Sequence, residues 1–106
     1  AARIFIEEKN QATAMLCFND DLAHGFIQEL EKLGRRVPED VSVMGIDGTY
    51  IRHYYEKLLT SVATYPQEMG AKCMEILINM LEGKPFKYIN WAKIGILEGE
   101  TVADIR

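Results

Sequence analysis

The stretch TAMLCFNDDLAHGFIQELEKLGRRVPEDVSVMGID, residues 13–47, decides the fold prediction. Its two ends, TAMLCF at 13–18 and VSVMGI at 41–46, are short continuous apolar runs, which predict strands buried on both faces. Between them, apolar residues recur at helical spacing and predict a helix over 20–33, with Gly34 suited to its C-terminal cap. A strand, a helix and a second strand in this order predict a parallel pair.

The rest of the chain continues the alternation of strands and helices. The other predicted elements are a helix end at 3–9, a third strand at 60–65, a helix from Pro66 to about Leu81, a weaker strand or pair of strands at 88–97, and a surface tail at 98–106. Buried strands that alternate with amphipathic helices predict an α/β fold, a parallel three-layer (αβα) Rossmann-like lobe with helices on both faces of its sheet.

Composition excludes several classes of function. The chain has 106 residues, which suggests one domain or a piece of one. With 12 basic and 16 acidic residues and no basic stripe, it is a poor candidate for binding nucleic-acid phosphates by itself. No apolar run approaches the roughly 20 residues that span a bilayer, so no membrane partner is expected.

Reactive and metal-binding chemistry is not expected either. Cys17 and Cys73 each lie in an apolar run and are interpreted as buried hydrophobic residues. His24 and His53 lack partners at metal-ligand spacing, so neither a metal nor another cofactor is predicted. No nucleophile stands beside a base, and the chain is not expected to be an enzyme.

Polar residues follow two of the predicted strands. Asn19 comes after the first and Asp47 after the second, and the carboxyl ends of parallel strands meet at one edge of a sheet, where ligands bind. An amide donates and accepts hydrogen bonds while a carboxylate accepts them, a pair that suits a neutral polyhydroxylated ligand. Two structural alternatives remain: Asn19 or Asp20 caps the helix, and Asp47-Gly48 forms only a turn.

These residues resemble the lactose-repressor/galactose-repressor family of bacterial transcription regulators. The resemblance lies in motifs spread over nearly the whole chain: Phe18-Asn19-Asp20, Leu22-Ala23-x-Gly25, Leu33-Gly34-x-x-Val37-Pro38-x-Asp40-Val41-Ser42-Val43-x-Gly45-x-Asp47, Leu59-Thr60-Ser61-Val62, Met69-Gly70, Leu81-x-Gly83 and Thr101-Val102-Ala103-Asp104. The resemblance implies that residues 1–106 form the C-terminal lobe portion of a periplasmic-binding-protein-like effector domain, with a crossover helix at 66–83. The DNA-binding head and most of the N-terminal lobe would then lie outside this sequence.

The resemblance also implies the roles of particular residues. Asn19 and Asp47 match the family's effector-binding amide and acid, and Thr64 matches a polar residue at the lobe crossover where many members have Gln. The loop Asp47-Gly48 has one polar group fewer than many relatives, and Gly99 stands where an Arg is frequent.

The family dimerises through the helix after the Asn-Asp pair and the loop after Gly-x-Asp, regions that here hold His24, Gln28, Tyr54 and Tyr55. Tyrosines suit interfaces, but the two could instead pack on their own lobe, and His24 could be an ordinary packed or solvated residue.

The leading hypothesis is therefore a cytoplasmic, homodimeric sensor module whose effector is a sugar or sugar derivative and which reaches DNA only through an N-terminal head. An alternative is the sugar-binding protein of an ABC-type transporter, which shares the two-lobed design. A phospho-receiver domain fits poorly, because the 26 residues from Asp21 to Asp47 allow only one helix.

Overall fold

The computed structural model describes residues 2–7 and 12–104 of the chain. Its elements, in chain order, are α1 (Ala2–Glu7), β1 (Ala14–Leu16), α2 (Asp20–Lys32), β2 (Ser42–Asp47), a short 3₁₀ helix (Tyr50–His53), β3 (Thr60–Ala63), α3 (Pro66–Leu81) and β4 (Gly95–Leu97). The prediction of a helix end at 3–9 is met as far as Glu7, and its last two positions lie outside the described residues.

The strands form one sheet in the order β1-β2-β3-β4. β1 pairs with β2 in parallel, with Leu16 opposite Met44, and β2 pairs with β3 in parallel, with Asp47 opposite Ala63. β4 runs antiparallel to β3. The predicted α/β fold is confirmed, with a sheet in which β1, β2 and β3 are parallel as predicted and β4 is antiparallel.

The core lies between α2 and the sheet. Ala23 and Leu30 of α2 are fully buried, together with Val43 of β2 and Leu59 just before β3. Phe26 also packs edge-on against Phe5 of α1 with ring centroids 5.7 Å apart, which joins the first helix to the same core. Gly34, at φ +79°, ends α2 in the left-handed conformation that favours glycine.

The prediction that the first strand is buried on both faces is wrong for the described residues. Ala14 and Leu16 are exposed, and Phe18 just beyond β1 is 82% exposed. The reason is that side chains alternate between the two faces of a strand: Met15 and Cys17 pack against the core, whereas Ala14 and Leu16 lie on the opposite face, which the core does not cover. The interpretation of the two cysteines as buried is likewise incorrect, since Cys17 is only half-buried and Cys73 is exposed.

Helix α3 has the predicted bounds but buries none of its residues. Its apolar side chains, Met69, Met74, Leu77, Ile78, Met80 and Leu81, are all exposed. The described part of the chain extends 59 Å along its longest axis and 27 and 26 Å along the others. None of the described helices is both long enough and apolar enough to cross a membrane.

The segment after β4 is part of the sheet's packing, so the prediction of a surface tail is wrong at its centre. Thr101 is 0% exposed, and its hydroxyl donates to the Val43 carbonyl at 2.7 Å and accepts from the Thr60 amide at 3.0 Å. A Cβ on Gly99 would lie 2.2 Å from the carbonyl oxygen of Leu58, so only glycine fits there. The sequence pattern could not show this, because these contacts join residues about 40–60 positions apart.

Candidate functional site

The edge at the carboxyl ends of β1, β2 and β3 carries the three residues that the sequence singled out as ligand contacts. Asn19 follows β1, Asp47 is the last residue of β2, and Thr64 follows β3. These strands are neighbours and run in the same direction, so their carboxyl ends meet at one edge. The Thr64 hydroxyl donates to the Asp47 carbonyl at 3.5 Å, which links two of the three directly.

Asn19 is the N-cap of α2. Its side-chain oxygen accepts a hydrogen bond from the Leu22 amide at 2.9 Å, which satisfies one of the free N–H groups at the start of the helix. The capping alternative is therefore observed for Asn19. Its side-chain nitrogen has no hydrogen-bond partner among the described residues, so the amide still offers donors to a ligand.

Asp47 holds its carboxylate at the surface from an unusual backbone position. Its φ is +105°, a region that L-residues rarely adopt, and the residue is exposed. No described residue forms a hydrogen bond or ion pair with the Asp47 carboxylate. Such strain in a non-glycine residue is typical of functional positions, where the surroundings hold the backbone in place.

The loop after Asp47 is held by a buried carboxylate that the sequence analysis considered only as a helix cap. Asp20 is 1% exposed, and its Oδ2 accepts from the backbone N of Thr49 at 2.7 Å and from its hydroxyl at 3.0 Å. Its Oδ1 accepts from the Ser61 hydroxyl at 2.5 Å, and that hydroxyl accepts from the Gly48 amide at 3.0 Å. The sequence signal for this role was the position of Asp20 in the polar segment between a strand and a helix.

Thr64 also lines a hollow of about 420 Å³ between α3 and the segment that precedes β4. The wall of this hollow is mainly apolar and includes Met69, Ile76 and Trp91. Asn19 and Asp47 do not line it. The described residues therefore bring the three predicted ligand contacts to one edge but do not enclose them in one cavity.

The residues predicted at a dimer interface lie together on a second surface. His24, Gln28 and Tyr55 line a hollow of about 520 Å³ between α2 and the segment after the 3₁₀ helix. Tyr54 is 70% exposed beside this region and packs edge-on against Tyr50, with ring centroids 5.5 Å apart. Lys57 and Glu31 form an ion pair at 3.3 Å on the rim of the hollow.

His24 is covered by its own chain. It is 2% exposed and stacks on the Tyr55 ring at a centroid distance of 3.9 Å, so that His24 covers one face of that ring. Burial lowers the pKa of His24, although the nearby Asp20 acts in the opposite direction. Its Nε2 is buried without a hydrogen-bond partner among the described residues.

Metal ligands are not grouped in the described part of the chain. No cluster of three or more His, Cys, Asp or Glu residues that could hold a metal ion occurs within residues 2–7 and 12–104. Burial raises the pKa of the Cys17 thiol, which keeps this half-buried residue in its unreactive protonated form.

A mainly parallel sheet with helices and with polar side chains at its carboxyl edge defines an α/β protein of the class that binds ligands at that edge. The model of the periplasmic binding protein-like domain family matches residues 1–94. The chain therefore belongs to this family.

The relatives are bacterial transcription regulators. The chain is 34% identical over 106 residues to the HTH-type transcriptional repressor PurR of Vibrio cholerae serotype O1, an alignment of 99% of this chain and 32% of the relative. It resembles the LacI family regulator of Arthrobacter sp. FB24 in complex with lactose at a TM-score of 0.82 and 30% identity, over 97% of this chain and 40% of that one. It also resembles the lac repressor dimer bound to operator and the anti-inducer ONPF at a TM-score of 0.90 and 25% identity, over 97% and 36% of the two chains.

These comparisons confirm the resemblance to the lactose-repressor/galactose-repressor family. The chain spans between 23% and 32% of the length of the curated relatives that it matches. The described residues therefore correspond to one part of the sensor domain in those proteins.

Proposed function

We propose that this chain is the effector-binding and dimerisation module of a bacterial transcription regulator, and that its effector is a sugar or sugar derivative. In the whole protein, residues 1–106 would form a portion of the C-terminal lobe, with the crossover helix at 66–83 leading to an N-terminal lobe. A separate N-terminal head would bind DNA, and the protein would act in the cytoplasm. The relatives are regulators and not enzymes, which supports this choice.

The observation that carries the proposal is the grouping of Asn19, Asp47 and Thr64 at the carboxyl edge of three adjacent parallel strands. The cap bond occupies the Asn19 side-chain oxygen and leaves donors, whereas the exposed Asp47 carboxylate accepts only. A hydroxyl group can satisfy both, since it accepts from the amide and donates to the acid. The lactose bound to the Arthrobacter relative has this chemistry.

The mechanism follows from the fact that the described residues leave one side of the site open to solvent. The polar edge is open among the described residues, so a second lobe must close over it to remove the effector from water. An effector that contacts Asn19 and Asp47 more favourably in the closed arrangement shifts the population of lobe arrangements toward it. The shift would change the spacing of the DNA-binding heads and hence the affinity for DNA.

Calorimetry on the natural full-length protein tests the effector site. A panel of neutral mono- and disaccharides that includes lactose identifies the tightest ligand, and Asp47→Ala is then compared with Glu39→Ala, a change at an exposed acid in a distant turn. We expect Asp47→Ala to weaken binding at least about tenfold, which corresponds to about 1.4 kcal/mol. Wild-type affinity in Asp47→Ala, or no binding of any sugar in the panel, would contradict the proposal.

The dimerisation part of the proposal rests on the surface of α2 and the segment after the 3₁₀ helix. Gln28 and Tyr54 are exposed there, and Tyr55 presents the face that does not stack on His24. Large, rigid aromatic side chains are enriched at interfaces. The lac repressor in the similar structure is a dimer, which supports an interface on the equivalent part of the fold.

Sedimentation of the full-length protein tests the interface. Tyr54→Arg places a charge on the proposed contact surface, while Tyr88→Arg makes the same change at another exposed tyrosine on the segment before β4. We expect the first variant to raise the dimer dissociation constant at least about tenfold and the second to leave it unchanged. Equal behaviour of the two variants would place the interface elsewhere.

The transporter alternative shares the site but not the DNA-binding head. The matched relatives favour the regulator, since those described above are a transcriptional repressor and members of the LacI family. The natural sequence upstream of residue 1 separates the two. A helix-turn-helix there supports the regulator, and a signal peptide would support the transporter protein.

A further inference from the structure

We infer that Asp20 is a positioning residue that holds Asp47 in its ligand-binding conformation. This inference rests on the proposed function of Asp47 and assigns a role to a side chain that does not itself lie at the open edge. Asp20 connects the start of α2, the strand β3 and the loop that follows β2 through the hydrogen bonds of one carboxylate. It is the one acid in this region that the described chain buries almost completely.

The fold makes room for this carboxylate at a specific place. A Cβ on Gly45 would lie 2.4 Å from the Asp20 Oδ1 and 3.1 Å from its Cα. Glycine at position 45 of β2 therefore allows the first residue of α2 to approach the sheet backbone. A buried carboxylate is costly unless its oxygens are paired, and here hydrogen-bond donors reach both oxygens.

Helix capping does not explain this arrangement. The N-cap bond of α2 is made by Asn19, whose side-chain oxygen accepts from the Leu22 amide. The Asp20 carboxylate points to β3 and the loop instead, and its partners lie 29 and 41 positions along the chain. The two adjacent polar residues thus divide two roles, since Asn19 caps the helix and Asp20 holds the loop.

The loop held in this way contains the strained residue. Asp20 binds Thr49 directly, and it orients the Ser61 hydroxyl that accepts from the Gly48 amide. Both amides that follow Asp47 are therefore fixed by one network. A non-glycine residue at φ +105° persists only when its surroundings determine its conformation, and this network is the visible restraint on the C-terminal side of Asp47.

Replacing the carboxylate by an amide breaks the hydrogen-bond network without changing the size of the side chain. In Asp20→Asn one oxygen becomes an N–H₂ group, which cannot accept from Ser61 or from Thr49. The loop then loses at least one of its restraints, and Asp47 relaxes from its strained backbone conformation. We expect the protection of the Gly48 and Thr49 amides against hydrogen exchange to fall at least about tenfold, and the affinity for effector to fall about tenfold.

The experiment uses the full-length protein with Asp21→Asn as the matched control, because Asp21 is the next residue of the same helix turn and is exposed. Hydrogen exchange is measured at Gly48 and Thr49, and at Ala23, whose amide donates to the Asn19 carbonyl and reports on the helix start. We expect Asp20→Asn to lose protection at the two loop amides while Ala23 keeps it. Asp21→Asn should match the wild type at all three.

A double-mutant cycle distinguishes positioning from general destabilisation. Affinity for the tightest sugar of the panel described above is measured for Asp20→Asn, Asp47→Asn and the double variant. If Asp20 acts through Asp47, the double variant binds no more weakly than Asp47→Asn alone. Additive losses would overturn the inference, because they would show that Asp20 affects binding by a separate route.

The exchange measurement also separates this inference from the proposed function. If no sugar binds, the proposed function fails, and the positioning role is decided by the loop amides alone. Unchanged protection at Gly48 and Thr49 in Asp20→Asn overturns the inference whatever the sugar binding. If Asp20→Asn does not fold, Ser61→Ala removes the acceptor of the Gly48 amide, and unchanged protection of that amide would overturn it equally.

Discussion

Replacing Thr101 by valine removes a hydroxyl that joins two neighbouring strands and leaves the shape of the side chain unchanged. The Thr101 hydroxyl accepts from the Thr60 amide at 3.0 Å and donates to the Val43 carbonyl at 2.7 Å. Thr101 itself is completely buried, so water cannot replace the lost partner without a local rearrangement. The backbone bond from the Val43 amide to the Thr101 carbonyl remains in the variant.

The size of the effect follows from these two bonds. A buried polar group that loses its partner costs about 1–3 kcal/mol. Two such groups in Thr101→Val, one amide and one carbonyl, therefore predict a loss of about 3 kcal/mol in the free energy of unfolding. Thr101→Ser keeps the hydroxyl and loses one methyl group, which predicts a loss of about 1 kcal/mol.

Urea denaturation followed by far-UV circular dichroism measures both variants. With a denaturant dependence of about 1–3 kcal/mol per molar urea for a small protein, we expect the midpoint of Thr101→Val to fall by about 1–3 M. The midpoint of Thr101→Ser should fall by less than half as much. A valine variant as stable as the wild type, or a serine variant as unstable as valine, would refute the role of the hydroxyl bridge.

Three further predictions concern other parts of the chain. Burial lowers the pKa of His24, so at pH values just below the ordinary histidine pKa the unfolded chain binds more protons than the folded chain. The contribution of neutral, buried His24 to the free energy of unfolding is therefore fully present above about pH 6.5 and decreases as the pH falls below that value. Denaturation at pH 7.5 and 5.5 should show a smaller loss in His24→Gln than in the wild type, while His53→Gln, at an exposed histidine, should keep the full loss. Gly99→Ala should destabilise the protein by about 2 kcal/mol or more, since its Cβ would meet backbone atoms. Gly70→Ala, in an open part of α3, should stabilise the protein by about 0.5–1 kcal/mol. If thermal denaturation ranks the two variants in the opposite order, the described packing around Gly99 is wrong. The exposed apolar face of α3 predicts that residues 1–106 expressed alone self-associate, and a monomer by light scattering that binds no hydrophobic dye would disprove it.

Sequence periodicity predicted the elements whose stability is largely local. The helix α3 begins at Pro66 and ends at Leu81 as expected, because proline favours the first turn and Gly83 lies just after the end. The helix α2 was also predicted closely, since its apolar spacing and its cap lie within a few residues of each other. Burial of β1 was predicted poorly, because an apolar run shows that a partner is needed and does not show where the partner comes from. The exposed apolar face of α3 agrees with its interpretation as a crossover helix.

The candidate site was predicted in part for the same reason. Asn19 and Asp47 could be placed at one edge because the carboxyl ends of parallel strands meet there, whereas Thr64 was assigned through the family resemblance. The hydrogen bonds of Asp20 could not be foreseen, because they join it to Thr49 and Ser61, which lie far along the chain. Whether Asn19 caps the helix was also open, and the structure shows that it does, through its side-chain oxygen.

By itself the sequence determined most of the strands and helices, although the strand predicted at 88–97 is limited to Gly95–Leu97. It also identified the family through motifs spread along the chain. Only the tertiary structure decided that Asp20 is buried beneath the loop of Asp47 and that Thr101 joins β2 to β3. The physical reason is that helix propensity, capping and strand alternation act between residues a few positions apart. Hydrogen bonds across a sheet depend on the register and spacing of distant segments, which become fixed only when the chain has folded.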